Sequence, residues 1–359
     1  MPRISAMAGA RRAVRGMLSY PPYLQEIDTM HKNRWAALGF IAIALAALAP
    51  SAHAQKIRVG YWTSGVSLGF GSTIEQMKFL EKQGLDVQWI KFADVNGPTK
   101  GLVSDSIDVA FGASAAGALS TAADGVPIRI FLATQIAEVQ FVVLDSSPIK
   151  SLAEFKGKKI GMSPPGSATH SLAIALLEGN YGFKASDYTA VPGNEPRLAQ
   201  FLVQGEIQGA ALRGTTVAQL NEVKLRRLGN YVDEWKKLTK SNSVPVIGVG
   251  AVHTDYLAKN PEAMVKFVIG MKEATDWGAR NQPRVAEILQ KAANMKPDDA
   301  EAYAKQWNAT YITSMEPADI AMMKRMGEIF RQAGTIKNPI PDSAFAPEPY
   351  ARAKPRFGK

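Results

Sequence analysis

Two short stretches of small and hydroxylated residues, Gly112-Ala-Ser114 and Gly166-Ser-Ala-Thr169, stand where an apolar run gives way to a helical pattern. A helix start exposes unpaired backbone N–H groups and carries about half a positive charge. Two such starts facing one cleft could hold an anion without a buried lysine. Ser114, Ser167 and Thr169 could add hydroxyl donors, and small residues such as Ala168 let a guest approach the backbone. The competing reading is that these hydroxyls are plain N-caps. Trp62, Thr63 and Ser64 follow the first strand-like run and are placed to reach the same cleft; the alternative for Trp62 is an interior aromatic. Asn96 and Gly97, after the second such run, are a fainter pair. Arg213 is expected to enter the cleft and grip a carboxylate or sulfonate with two N–H groups, unless it is a surface arginine.

The elements that must position these residues alternate. Strands are expected over 56–61, 85–91, 107–111, 128–133, 141–144, 160–162, 188–191, 209–212 and 246–252. Helices are expected over 69–83, 115–123, 167–178 and 197–203, and the chain beyond the last strand reads as almost wholly helical. That alternation marks an α/β protein. Asn260-Pro261-Glu262 combines a side-chain cap, a proline at the first helical position and an acid. Met264, Phe267, Val268, Met271 and Trp277 follow at helical spacing, and their methionines read as core filler. The proline-rich tail, 339–355, is expected to wrap the surface in extended form.

Composition narrows the classes. The chain has 359 residues, long enough for two domains, and no cysteine, which excludes disulfides, thiolate metal sites and lipid attachment through a cysteine. Lys32 and Arg34 precede an apolar run from Trp35 to Ala49, then Pro50 and Ala52-His53-Ala54. These are the parts of a secretory signal peptide, with cleavage expected after Ala54. As a helix the run spans about 22 Å, short of the hydrocarbon core of about 30 Å. Met30 is the expected translation start, and residues 1–54 are read as a leader whose signal core is 30–54. The formal charge of +10 falls to +6 without those residues, which hold six bases and two acids. The remaining bases are spread out, so a nucleic-acid tract is not expected, although a mild positive field favours anionic solutes.

Several segments, taken in order, resemble the taurine, alkanesulfonate and nitrate solute-binding proteins of ABC importers. They are Val59-Gly-Tyr-Trp-Thr-Ser64, Ile107-Asp-Val-Ala-Phe-Gly-Ala-Ser114, Ser151-Leu-Ala-Glu-Phe-Lys-Gly-Lys-Lys-Ile-Gly161, Gly166-Ser-Ala-Thr-His170, Gly205-Glu-Ile-Gln-Gly-Ala-Ala211 and Asn260-Pro-Glu262. Ser167-Ala-Thr-His170 looks most like the taurine branch, which adds His170 to the candidate ligand residues. The resemblance implies a two-lobed, type II periplasmic binding fold. One lobe would be residues 55–145 plus 250–359 and the other 146–249, with a hinge of two crossovers near Asp145 and Gly248. It also implies a monomer in the periplasm, without a cofactor, that binds a small anion and delivers it to permease subunits and, through them, a cytoplasmic ATPase. One departure stands out. Where relatives often carry an aromatic residue and a proline, this chain has Leu212-Arg-Gly-Thr-Thr216, and Arg213 in the site would favour a larger or doubly charged acid over taurine.

Enzyme readings fare less well. Gly112-Ala-Ser-Ala-Ala116 is one residue away from a nucleophile elbow, but a serine hydrolase also needs a histidine and an acid beside Ser114. Past the leader only His170 and His253 remain, too few and too poorly spaced for a zinc site. Gly69-Phe-Gly-Ser-Thr-Ile74 lacks the third glycine of a dinucleotide fingerprint. Relatives of this fold that make the thiamine pyrimidine use a cysteine-rich segment, which this chain lacks.

Overall fold

The computed structural model describes residues 55–220 and 222–358. The expected signal peptide and the Met30 start lie outside the described residues. The first sheet has six strands in the order Tyr311–Ser314, Ile128–Ile136, Val246–His253, Val109–Ser114, Gln55–Trp62, Leu85–Phe92. The second has five, in the order Thr189–Pro192, Lys159–Met162, Gly209–Arg213, Val139–Leu144, Leu225–Asn230.

Both sheets follow one plan. In the first, Gln55–Trp62 pairs in parallel with Leu85–Phe92 and Val109–Ser114, and Val246–His253 lies antiparallel beyond them. In the second, Lys159–Met162 pairs in parallel with Thr189–Pro192 and Gly209–Arg213, and Val139–Leu144 is the antiparallel strand. Val246–His253 and Val139–Leu144 are each the strand entered from the other sheet, and Tyr311–Ser314 is a further antiparallel strand at the edge of the first sheet. Because Val139–Leu144 belongs to the second sheet, the first crossover falls at Ala137–Glu138 rather than near Asp145. The return falls just before Val246, close to the expected Gly248. The two crossovers touch: the Ala137 N–H donates to the Pro245 carbonyl at 2.9 Å.

In open α/β sheets, ligands bind outside the carboxyl ends of parallel strands, where the strand order reverses. Here four such ends carry Trp62, Ser114, Met162 and Arg213, two from each sheet. The first lobe secures its two ends with an aromatic core. Tyr61 stacks on Phe111 with ring centroids 5.2 Å apart, and Phe70 stacks on Tyr311 at 4.7 Å. All four rings are buried, and such pairs add about 0.5–1.5 kcal/mol beyond their buried area.

Three local expectations are corrected. The first helix runs Gly65–Gln76, not 69–83. It begins at Gly65, whose φ of +50 few other residues adopt, and stops before Lys78, which is also left-handed at φ 54. Phe79 and Leu80 remain buried, but from a turn rather than a helix face. The tail is not simply extended, since Glu348–Ala353 is helical with Tyr350 and Ala353 buried. Leu225–Asn230, for which no strand was expected, is an edge strand, and Arg226 ties it down by donating to the Ser147 and Ile149 carbonyls at 2.9 and 3.2 Å.

Gly112 just precedes Ser114 at the mouth of the first sheet, with φ +60. A Cβ there would lie 2.5 Å from Ser67 Oγ and 2.9 Å from Gln135 Nε2, both buried. Gly112→Ala is therefore expected to lower unfolding free energy by about 2–4 kcal/mol, left-handed strain and overpacking acting together. Urea denaturation followed by circular dichroism measures it; an unchanged midpoint contradicts this account of the turn.

Candidate functional site

The two glycine-serine turns do face each other. Ser114 ends a fully buried strand and caps the helix Ala115–Ala123 by accepting the Gly117 N–H at 3.2 Å. Ser167 caps Ala168–Tyr181 by accepting the His170 N–H at 3.2 Å, and donates to the Pro164 carbonyl at 2.7 Å. The turns meet through one side chain: Ser114 Oγ accepts the Ala168 N–H at 2.9 Å and donates to the Gly166 carbonyl at 3.0 Å. A serine hydroxyl has one hydrogen and two lone pairs, so all of its capacity is in use. In this conformation Ser114 fills the position between the helix starts where an anion was expected. Asn96 adds a second bridge across the seam, Nδ2 donating to the Pro165 carbonyl at 3.1 Å.

Beside this contact sits a buried ion pair. Arg213, whose side chain is 4% exposed, is not a surface arginine. Its Nη1 meets Glu195 Oε1 at 2.5 Å, its Nη2 donates to Thr169 Oγ1 at 2.9 Å, and its backbone N–H donates to Glu195 Oε2 at 3.2 Å. The guanidinium carbon lies 5.2 Å from the Trp62 ring, a cation–π distance. Its Nε–H is buried without an acceptor. Trp62 is interior, as its alternative reading held, yet it also forms part of the site wall; its Nε1 donates to the Ala93 carbonyl at 3.2 Å. Thr63 turns away, spending Oγ1 on the Phe92 carbonyl at 3.1 Å.

Two chambers open on this pair. One, of about 350 Å³, is walled by Trp62, Asp94, Ser163, Asn194 and Arg213 among others. The other, of about 500 Å³, is largely apolar, with Leu68, Ala199, Val203, Leu220 and Met295 in its wall. Ser64 and Glu195 belong to both walls. Residues of both lobes contribute to each chamber, and the volumes lie in the range of small-molecule sites. Tyr303 shapes the larger one from the first lobe: its hydroxyl donates to the Gly65 carbonyl at 2.8 Å and accepts the Gly69 N–H at 2.9 Å.

Glu195 is the residue that sequence reasoning missed. Asn194-Glu195-Pro196 reads as an ordinary helix start, with the Asn194 side chain accepting the Arg197 N–H at 3.1 Å. An acid in that first turn complements the helix dipole, which hides any second role. His170 lies near the seam, but burial lowers its pKa from 6.5, only partly opposed by the Ser163 backbone. It is therefore neutral at pH 7 and adds no positive charge. Among the described residues no cluster of three or more metal-ligating side chains occurs.

Two predictions follow from the burial. Glu195→Ala leaves the Arg213 charge uncompensated and is expected to cost about 3–5 kcal/mol, whereas Glu195→Leu with Arg213→Met recovers most of that loss. Equilibrium denaturation of both variants measures this; equal losses contradict it. For His170, the unfolded chain takes up a proton near pH 6.5 while the folded chain resists until a lower pH. Stability therefore falls as pH drops through that window, and His170→Gln is expected to flatten the fall in Tm between pH 7.5 and about 5.5. Identical pH profiles for the two proteins overturn the assignment.

Comparisons with known proteins follow the same lines. A putative binding protein of Brucella abortus is 24% identical over 330 residues, covering 88% of this chain and 98% of its own. A 4-amino-5-hydroxymethyl-2-methylpyrimidine phosphate synthase of Saccharomyces cerevisiae is 27% identical over 210 residues, covering 55% of this chain and 59% of its own. Among solved structures, the periplasmic aliphatic sulphonate-binding protein SsuA of Escherichia coli superimposes with a TM-score of 0.68 at 18% identity, covering 80% of this chain and 90% of that one. That likeness gives the fold: two lobes, as in the periplasmic binding proteins. The NMT1/THI5-like family profile matches residues 75–286, more than half of the chain, and the protein belongs to that family.

Proposed function

We propose that this protein is an exported solute receptor that holds a small organic acid between its lobes and delivers it to an ABC permease. One observation carries the reading: a guanidinium, buried against an indole ring, in the wall of a two-lobed cleft. Such a group recognises acids that accept two N–H bonds at once, planar carboxylates and tetrahedral sulfonates among them. The Brucella relative is named a putative binding protein and the Escherichia coli neighbour an aliphatic sulphonate-binding one, which supports the receptor role. The periplasmic address is supported by that likeness and by the signal-like segment 30–54, while the monomeric state and the permease and ATPase partners rest on the resemblance of the ordered sequence segments.

Within this class the larger chamber decides the preferred ligand. A two-carbon sulfonate such as taurine, or nitrate, leaves the apolar wall of Leu68, Ala199, Val203 and Met295 uncovered. An aromatic or longer aliphatic acid covers it, and each buried CH₂ contributes about 0.8 kcal/mol. The two touching crossovers at Ala137 and Pro245 are the natural hinge about which lobes 55–137 plus 245–358 and 138–244 open to admit it. The hydrolase reading finds little support, because the Ser114 hydroxyl is fully engaged and none of its partners is a histidine.

A thermal-shift screen of sulfonates, nitrate, aliphatic acids and aromatic acids tests the proposal. A ligand present at a hundred times its Kd stabilises by about 2.7 kcal/mol and is recovered intact. Aromatic or long-chain acids are expected to raise Tm, taurine and nitrate are not, and Arg213→Ala abolishes the shift. Absence of any shift, with plain acids and with their amine-bearing counterparts alike, sinks the receptor reading. Ester turnover that disappears in Ser114→Ala favours the hydrolase instead.

A further inference from the structure

Charge around the two chambers is not what a simple anion needs. Among the described residues, three charged side chains line them: Arg213, Glu195 and Asp94. Arg213 and Glu195 cancel each other, and Asp94 is half-exposed with Lys100 3.8 Å away. His170, near the seam, is neutral at pH 7. A monoanion entering this space sits beside a buried carboxylate with no net positive charge to offset it.

Glu195 is also poorly able to step aside. Its side chain is 2% exposed, both oxygens are held by Arg213, and it occupies the first turn of the helix Glu195–Val203, where the dipole favours a negative charge. An ionised carboxylate offers about four acceptor positions. Arg213 takes two of them, and the group borders both chambers. On the cationic side, the Arg213 Nε–H has no acceptor although it is buried. The site thus presents an acceptor with spare capacity and a donor without a partner, side by side, next to an apolar chamber.

We propose that Glu195 contacts the ligand, and that the solute carries an N–H donor, in the simplest case an ammonium, beside its acid group. The favoured class is a zwitterionic aminocarboxylate with an apolar body. Its ammonium meets Glu195, its acid meets Arg213, and its body fills the larger chamber. This rests on the receptor reading above and narrows it. A zwitterionic head leaves the net charge of the site unchanged, so neither buried charge is left without compensation. The same arrangement selects against plain acids of equal shape, because they add a second negative charge beside Glu195 and bring it no donor.

Matched ligand pairs that differ only in the amine test this by isothermal titration calorimetry on the signal-free protein, residues 55–359. Suitable pairs are phenylalanine with 3-phenylpropanoate, leucine with 4-methylpentanoate, and 4-(aminomethyl)benzoate with 4-methylbenzoate. At least one amine-bearing member is expected to bind about tenfold or more tighter than its partner. In Glu195→Gln, which keeps the volume and one acceptor but removes the charge, that ratio is expected to collapse toward one. The wild-type ratio stands by itself should the variant fold poorly. Plain acids that bind as tightly as their amine-bearing partners, or a ratio unchanged in Glu195→Gln, overturn this inference and leave the receptor reading standing. Binding of no member here and of no acid in the wider screen overturns both.

Discussion

The buried guanidinium of Arg213 is the group around which the seam is organised. A full positive charge with almost no solvent contact must be compensated where it stands. Glu195 supplies the countercharge, Thr169 a hydroxyl acceptor and Trp62 a π face. These partners come from two different segments of the second lobe and one of the first. The pair therefore fixes the ends of the strand Gly209–Arg213 and the starts of two helices against Trp62. Tyr231 reinforces the arrangement by donating its hydroxyl to the Thr169 carbonyl at 2.9 Å.

A second contact, independent of charge, closes the other side of the seam. Ser114 joins the helix start of one lobe to that of the other with its whole hydrogen-bonding capacity. The backbone N–H of Ala168, which an anion could otherwise take, is satisfied by a neutral oxygen. The seam is thus sealed at Ser114 and open at Glu195, and the two chambers lie on the open side. A ligand that engages Arg213 meets Glu195 at once, which is why the character of the guest turns on the pair and not on the helix dipoles alone.

Much of the architecture was readable from the chain, because it depends on short-range pattern. The alternation of apolar runs with amphipathic stretches identified an α/β protein, and the glycine-serine turns marked two helix starts, where Ser114 and Ser167 act as the caps that were the competing reading to an anion site. The first helix was misplaced because its apolar residues continue past its end: Phe79 and Leu80 keep helical spacing although Lys78 has left the helical region. The first crossover was set too late because the run Val139–Leu144 looks the same whichever sheet receives it. Only its antiparallel pairing with Gly209–Arg213 and Leu225–Asn230 assigns it to the second lobe.

The site divides along the same line. By itself, the sequence determined which residues could carry the chemistry, namely a tryptophan after the first strand, hydroxyls at two helix starts and an unusual Arg213, since residue type and local spacing are enough for that. It could not show that Arg213 is buried, that the acid it grips is Glu195, eighteen positions earlier, or that Ser114 spends itself on Ala168 and Gly166. Those facts depend on which strand ends the sheet order brings together across the seam. Pairing of charges and satisfaction of donors are properties of distance in space, and beyond the reach of a helical turn the sequence does not encode that distance directly; the packed tertiary structure decides it.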